Sequence, residues 1–297
     1  MGNNFEFSVA GMHQDQAEDC IDEAILEVKR IEKLLTTFDQ SSQTNQINAK
    51  AGIEPVPVDQ EVFDLIERSL RISALTQGAF DITYGSLDKS LWNFDKNMTQ
   101  LPDSDQARKM VRLINYRNVI LDSKAQTVFL REKGMRIGFG GIGKGYAADR
   151  AKAVMTALGV QHGIVNAAGD LTVWGNQPTG EPWTIGIADP DKREFPFGSV
   201  TLTNTSVATS GNYEKFVMID GIKYSHTIDP KTGYPVDGIK STTIICPSAE
   251  LADAMATPVM VMGIKAGLGL INQVNGIACI IIDDYNNVYT SKNIKLT

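Results

Sequence analysis

Three short segments in the last third of the chain collect the residue types that could do chemistry. They are Ala208-Thr209-Ser210-Gly211-Asn212-Tyr213, Tyr224-Ser225-His226-Thr227-Ile228-Asp229-Pro230-Lys231-Thr232-Gly233 and Ala252-Asp253-Ala254-Met255-Ala256-Thr257. Small, hydroxyl and carboxylate residues dominate them. Together they offer backbone donors, one of the chain's three histidines and an Asp/Thr pair four residues apart. That set suits a phosphate-bearing ligand held with a hard metal ion.

Asp253 and Thr257 at this spacing place a carboxylate and a hydroxyl on one face of a helix. Both are hard oxygen ligands that suit Mg²⁺, which keeps waters and substrate phosphates as its further ligands. The plain alternative is a helix-start Asp and a surface Thr. Pro258 would free the carbonyl of Ala254 and kink the axis. His226 stands on a strand-to-turn junction ahead of the tight-turn signal Asp229-Pro230-x-Thr232-Gly233. A lone histidine is commonly structural, but a neutral imidazole there could take a proton from a hydroxyl nucleophile.

The glycine run Gly138-x-Gly140-Gly141-x-Gly143-Lys144-Gly145 precedes a helix. It is not a P-loop, because Gly145 follows the lysine where Ser or Thr is needed. It does not fit the dinucleotide fingerprint cleanly either, because no acidic ribose partner follows about 20 residues on. A tight strand-to-helix connection would use the same glycines. As a ligand loop, its bare backbone could approach a phosphate, with the helix N-terminus and Lys144 adding positive charge.

The elements that must position these residues are mixed. Residues 3–10 read as an opening strand. A helix follows from Ala17 to Leu35, with apolar residues at three- and four-residue steps. The stretch from Thr36 to Asn48 is polar and loop-like. Asp59 caps a second helix through Leu75, ended by Gly78, and Phe80 to Gly85 then leads into Leu91 to Phe94. Val119–Leu121 and Thr127–Leu130 form a hairpin around Asp122-Ser123-Lys124. An alanine-rich helix runs from the glycine loop to Gly159. Strands are expected at 163–165, 183–188, 199–202, 216–219 and 242–246. Helices follow at 251–262 and on to Val274, and residues 277–289 close the chain as a hairpin. Without regular βαβ alternation, α+β is favoured over a doubly wound sheet.

Composition narrows the function. The 297 residues are 42% hydrophobic and 21% charged, with a formal net charge of −7. An acidic balance without Lys/Arg blocks argues against nucleic acid or an anionic membrane as partner. Cys20, Cys246 and Cys279 are far apart and show no zinc spacing, so three free, mostly buried thiols are expected. No stretch reads as the ~20 apolar residues of a transmembrane segment. The N-terminus has neither a basic n-region nor an apolar h-region. A cytoplasmic location is therefore expected, or a periplasmic or membrane-anchored lipoprotein if a signal segment precedes Met1.

The ordered motifs resemble one family. They are Met1-Gly2, Phe80-Asp81-x-Thr83, Gly140-Gly141-Ile142-x-Lys144-Gly145-Tyr146-Ala147-x-Asp149, Thr209-Ser210-Gly211-Asn212-Tyr213, His226-x-x-Asp229-Pro230-x-Thr232-Gly233 and Asp253-Ala254-x-Ala256-Thr257. Each is weak alone; six in order resemble the ApbE family of FAD:protein FMN transferases over nearly the whole chain.

The resemblance implies one domain over residues 1–297, with mixed, mainly antiparallel sheets, packed helices and a ligand cleft between two subdomains. It implies FAD as substrate and Mg²⁺ as cofactor. The FMN half would pass to a Thr or Ser hydroxyl of an acceptor flavoprotein, a redox-complex subunit or reductase domain, with release of AMP. Some relatives hydrolyse FAD to FMN and AMP, and a non-catalytic FAD-binding protein is a third possibility. The implied metal ligands are Asp253, Thr257 and the carbonyl of Gly141. The implied FAD contacts are Met1, Phe38, Ala79, Phe80, Asp81 and Lys144. The motif positions Gly138, Asp149, Thr209, Ser210, Gly211 and His226 complete the cofactor-binding set. The catalytic pair is His226 and Asp253, with His226 favoured as base because a metal-bound carboxylate is the weaker one.

The chain departs from the family pattern in four places. Gly138 stands where many relatives carry Asp. Ala168-Gly169-Asp170 replaces Gly-Gly-Asp. Phe38 replaces a frequent Tyr, keeping the ring but not the hydroxyl. Pro258 follows Thr257, where a helix former is more usual.

Overall fold

The computed structural model describes residues 4–88, 100–188, 196–212 and 216–294. The expectations for Met1, Leu91 to Phe94 and Tyr213 lie outside the described residues. Six α-helices form among the described residues: α1 (Gln14–Leu35), α2 (Gln43–Ala49), α3 (Gln60–Leu75), α4 (Ser104–Met110), α5 (Gly143–Ala157) and α6 (Ala249–Ile271). The strands are β1 (Phe5–Ala10), β2 (Val56–Pro57), β3 (Val119–Asp122), β4 (Thr127–Leu130), β5 (His162–Ala167), β6 (Asp170–Trp174) and β7 (Trp183–Ala188). They continue with β8 (Pro196–Leu202), β9 (Thr205–Gly211), β10 (Phe216–Ile219), β11 (Ile222–Ser225), β12 (Ile239–Cys246), β13 (Ala278–Asp283) and β14 (Val288–Thr290). The described strand pairs are antiparallel, so the fold is α+β as expected.

The chain divides into two compact units. The first comprises Met1–Glu32, Ile142–Tyr213 and Ile239–Thr297. Its sheet has seven strands in the order β1-β5-β6-β9-β12-β13-β14. Because side chains alternate along a strand, the sheet presents two faces. One carries Val165, Ala167 and Trp174 against Ala148, Ala151 and Met155 of α5. The other carries Val173, Val207, Ile245 and Ile280 against Ile185, Ile187 and Val200 of the β7–β8 hairpin. Small residues bring α5 and α6 close: a Cβ on Gly145 would lie 2.0 Å from the Ala249 carbonyl oxygen.

The second unit comprises Lys33–Gly141 and Glu214–Gly238. It holds α2, α3, α4, the β2-β4-β3 sheet and the β10–β11 hairpin. Leu87, Met110, Val111, Ile114, Val217, Ile219 and Ile228 form one of its cores.

Several elements differ from the sequence reading. The polar stretch expected to be a loop contains α2. Ser42 caps it by accepting from the Asn45 amide at 3.1 Å, and Thr44 and Asn45 are buried with their side chains bonded to backbone carbonyls. Asp59 occupies the N-cap of α3 without a side-chain cap bond; its carboxylate accepts from Gln43 instead, at 2.6 Å. Strands β2, β6, β9 and β11 and helix α4 were not foreseen. The two helices expected at 251–274 form α6, interrupted at Gly263 (φ 80°, ψ 167°); the break in helical dihedrals is there and not at Pro258. Helix α6 has the length and apolar composition of a membrane span, a property that a core helix shares. It packs against α5, β9 and β12, with Asp253, Met255, Val259 and Met260 buried. The three cysteines are free and buried, as expected.

Candidate functional site

In the first unit, the starts of α5 and α6 bring a lysine and two carboxylates together. Asp253 is 6% exposed. Its Oδ2 accepts from the Gly145 amide at 3.0 Å. Lys144, beside that glycine, forms an ion pair with Asp170 at the start of β6, and Asp170 is itself almost fully buried. One ammonium thus faces two buried carboxylates. Burial, and then repulsion from Asp170, holds the Asp253 carboxyl well above the usual carboxylate range; Lys144 and the amides of Gly145 and Lys144 oppose this. A site with this excess of negative charge favours an added cation.

Thr257 lies one turn beyond Asp253 on α6, and its hydroxyl is hydrogen-bonded to that of Ser210 on β9 at 2.9 Å. The helix face predicted from the spacing therefore forms, and neither residue is a plain surface position. The run Thr209-Ser210-Gly211, read as one cluster, is split by the strand. Ser210 faces α6, while Thr209 turns to the opposite side of the sheet and bonds Thr243 at 2.9 Å. Thr209 thus does not join Ser210 at Thr257.

Asp149 was expected at the cofactor through its motif. Its carboxylate is taken up by the first turn of α6, accepting from Ser248 Oγ at 2.8 Å and from the amides of Ala249 and Glu250, each at 3.0 Å.

Asp170 was missed as a site residue. The signal was the turn before it: Ala168 (φ 53°) and Gly169 (φ 97°) are both left-handed and join β5 to β6, with Ala167 opposite Asp170. Such a two-residue hairpin usually advertises itself with Asn-Gly or Gly-Gly; alanine concealed it.

In the second unit, Asp81 caps a short 3-10 helix at Ile82–Ser86. Its carboxylate accepts from the Thr83 amide at 2.8 Å, the Thr83 hydroxyl at 2.6 Å and the Tyr116 amide at 2.8 Å. Burial pushes its carboxyl upward against those bonds. Ala79 and Phe80 are buried, and Phe80 lies 3.6 Å from where a Cβ on Gly141 would stand. Gly138 donates to the Ile82 carbonyl at 3.0 Å. Its nearest neighbour to an added Cβ is 3.9 Å away, so packing does not demand glycine at this position. Phe38 is 93% exposed, leaving its ring faces open to a planar ligand.

His226 follows β11, half-buried, at the head of the predicted tight turn. The turn is built by Asp229, which accepts from the Lys231 amide at 2.9 Å and the Thr232 hydroxyl at 3.1 Å. Gly233 (φ 76°) closes it where a Cβ would meet the Ala107 carbonyl oxygen at 2.1 Å. The Tyr84 hydroxyl accepts from the Ile228 amide at 3.2 Å. The loop that carries His226 is thus fixed at Ile228 and in the turn that follows it.

The proteins this chain resembles form one class. An FAD:protein FMN transferase of Klebsiella pneumoniae is 32% identical over 271 residues, covering 91% of this chain and 84% of the relative. One of Treponema pallidum is 30% identical over 290 residues, covering 92% and 80%. Among solved structures, the ApbE protein of Thermotoga maritima is similar with a TM-score of 0.88 and 31% identity, covering 98% of this chain and 94% of that one. The flavinyl transferase ApbE of Pseudomonas stutzeri gives 0.82 and 27%, covering 98% and 95%. The sequence model of the ApbE family matches residues 1–281, and the chain belongs to that family.

Proposed function

We propose that this chain is an enzyme that transfers the FMN half of FAD to a threonine or serine hydroxyl of an acceptor protein, releasing AMP. Relatives at 30% and 32% identity carry the name of this activity. The observation that carries the chemistry is the group of Lys144, Asp170 and Asp253 beside Thr257. Two buried carboxylates against one ammonium leave a negative excess, and a hydroxyl stands one turn away. Among the described residues no group of three or more His, Cys, Asp or Glu is placed to hold a metal ion. That donor set does not fit zinc, but it fits Mg²⁺, which is held by one or two carboxylates and completes its shell with water and phosphate oxygens.

In this reading Asp253 and Thr257 hold Mg²⁺, and Ser210 fixes the direction of the Thr257 hydroxyl. When bound, the ion draws charge from the pyrophosphate oxygens. Lys144 binds the same oxygens as a point charge. The acceptor hydroxyl is a weak nucleophile, and His226 takes its proton. The new bond joins the acceptor oxygen to the FMN phosphorus. The phosphoanhydride bond breaks, and its bridging oxygen leaves on AMP. Phe38 offers a face for ring stacking. The acceptor is a redox-complex subunit or reductase domain.

The test is chromatographic. AMP released from FAD should match, mole for mole, the flavin that stays with precipitated acceptor protein. AMP matched by free FMN would instead assign FAD hydrolysis, and intact FAD would assign binding without turnover.

A further inference from the structure

The Asp149 carboxylate has no unused oxygen. Oδ1 accepts from the Ala249 amide, and Oδ2 from the Glu250 amide and the Ser248 hydroxyl. Ser248 in turn caps α6 by accepting from the Leu251 amide at 3.2 Å. Three donors at the first turn of α6 therefore converge on one side chain of α5, where the positive end of the helix dipole also favours a carboxylate.

Asp149 lies one turn beyond Gly145 on α5, on the same face. Gly145 donates to Asp253, which lies one turn beyond Ala249 on α6. The two helices are thus joined at two points, Asp149 to Ala249 and Gly145 to Asp253. Between those points they are in backbone contact, since a Cβ on Gly145 would overlap the Ala249 carbonyl. A helix held at two points one turn apart can neither slide along its axis nor rotate about it.

We infer that Asp149 is a positioning residue: it fixes the axial place and rotation of α6, and through them the Asp253 carboxylate and Thr257 hydroxyl. This rests on the reading of Asp253 and Thr257 as Mg²⁺ ligands. It departs from a direct cofactor contact by Asp149, because its oxygens are taken within the protein.

The experiment is a calorimetric titration of Mg²⁺ into the metal-free full chain, well below the unfolding midpoint of each variant. Asp149→Ala should weaken Mg²⁺ binding by about 10–100-fold, the range for groups that orient a metal ligand. Asp149→Asn should weaken it less. Its amide oxygen can keep Ser248 and Glu250 while the Ala249 amide loses its acceptor. The graded order is the signature of positioning. A lowered midpoint with wild-type affinity in both variants would reduce Asp149 to a helix cap and overturn the inference. If Asp149→Ala does not fold, Asp149→Asn decides: weakened binding supports the inference and wild-type affinity overturns it. A wild-type chain that takes up no Mg²⁺ would overturn the cation reading and the inference with it. Wild-type uptake with unaffected Asp149 variants would overturn the inference alone.

Discussion

The amide of Gly145 donates to Asp253 Oδ2 at 3.0 Å, and a Cβ on that glycine would stand 2.9 Å from the Asp253 Cβ. The glycine that lets two helices touch also holds the carboxylate the proposed chemistry needs. Gly145 has an ordinary negative φ, so its requirement is spatial and not conformational. Gly145→Ala should therefore destabilise the chain by about 3 kcal/mol, the upper range for overpacking, because the obstructing atoms are backbone. Denaturant midpoints of the two proteins check this; a change within ~0.5 kcal/mol, as for an ordinary surface substitution, would contradict the close approach of α5 and α6.

Asp253 should make metal-free stability fall with rising pH. Its carboxyl is held above the usual range, first by burial and then by Asp170. Between the unfolded value and the raised folded value, the native state binds more protons than the unfolded state. The stability change with pH is then negative, and the contribution is fullest below the unfolded value. Asp253→Asn should flatten this slope and stabilise the metal-free chain at neutral pH, while abolishing Mg²⁺-dependent activity. Thermal midpoints from mildly acidic to mildly alkaline pH, in chelator, test the sign. A parallel slope in the variant would contradict the assignment.

Much of this site was legible in the sequence, and the remainder was hidden for physical reasons. The Asp253/Thr257 spacing could be read because a helix repeats near four residues. The hairpin of β3 and β4 could be read from its apolar runs and the Asp122-Ser123-Lys124 turn. Strand β9 could not: Thr-Ser-Val-Ala-Thr-Ser-Gly lacks the apolar alternation that marks a strand. Its hydroxyls are accommodated by partners distant in sequence, Thr172, Thr243 and Thr257. Helix α2 was hidden in the same way, its polar residues bonded to the chain around them. The role of Asp170 needed the hairpin that brings it to Lys144.

Ala168 carries the strain of that hairpin. A left-handed alanine costs about 1–2 kcal/mol, and glycine avoids that cost but adds unfolded-state entropy of about 0.4–1 kcal/mol. Ala168→Gly should therefore stabilise the chain by roughly 0.5–1 kcal/mol, raising the thermal midpoint with Mg²⁺ affinity unchanged. A lowered midpoint would show that the Ala168 methyl makes contacts that outweigh its backbone strain.

His226→Ala should retain FAD binding and slow flavin transfer by about 10²–10⁴, the range for a general base. Equilibrium dialysis with FAD and single-turnover transfer rates separate the two effects. Wild-type rates would move the proton-accepting role to another group.

The central claim is that this chain joins FMN covalently to a protein hydroxyl and needs a divalent cation to do so. Intact-protein mass spectrometry of a threonine-bearing acceptor domain, incubated with the chain, FAD and Mg²⁺, tests it most directly. The acceptor should gain the mass of one FMN less one water, and a chelator or Asp253→Ala should prevent the gain. An acceptor of unchanged mass alongside free FMN and AMP, or a gain that persists without the cation, would contradict it.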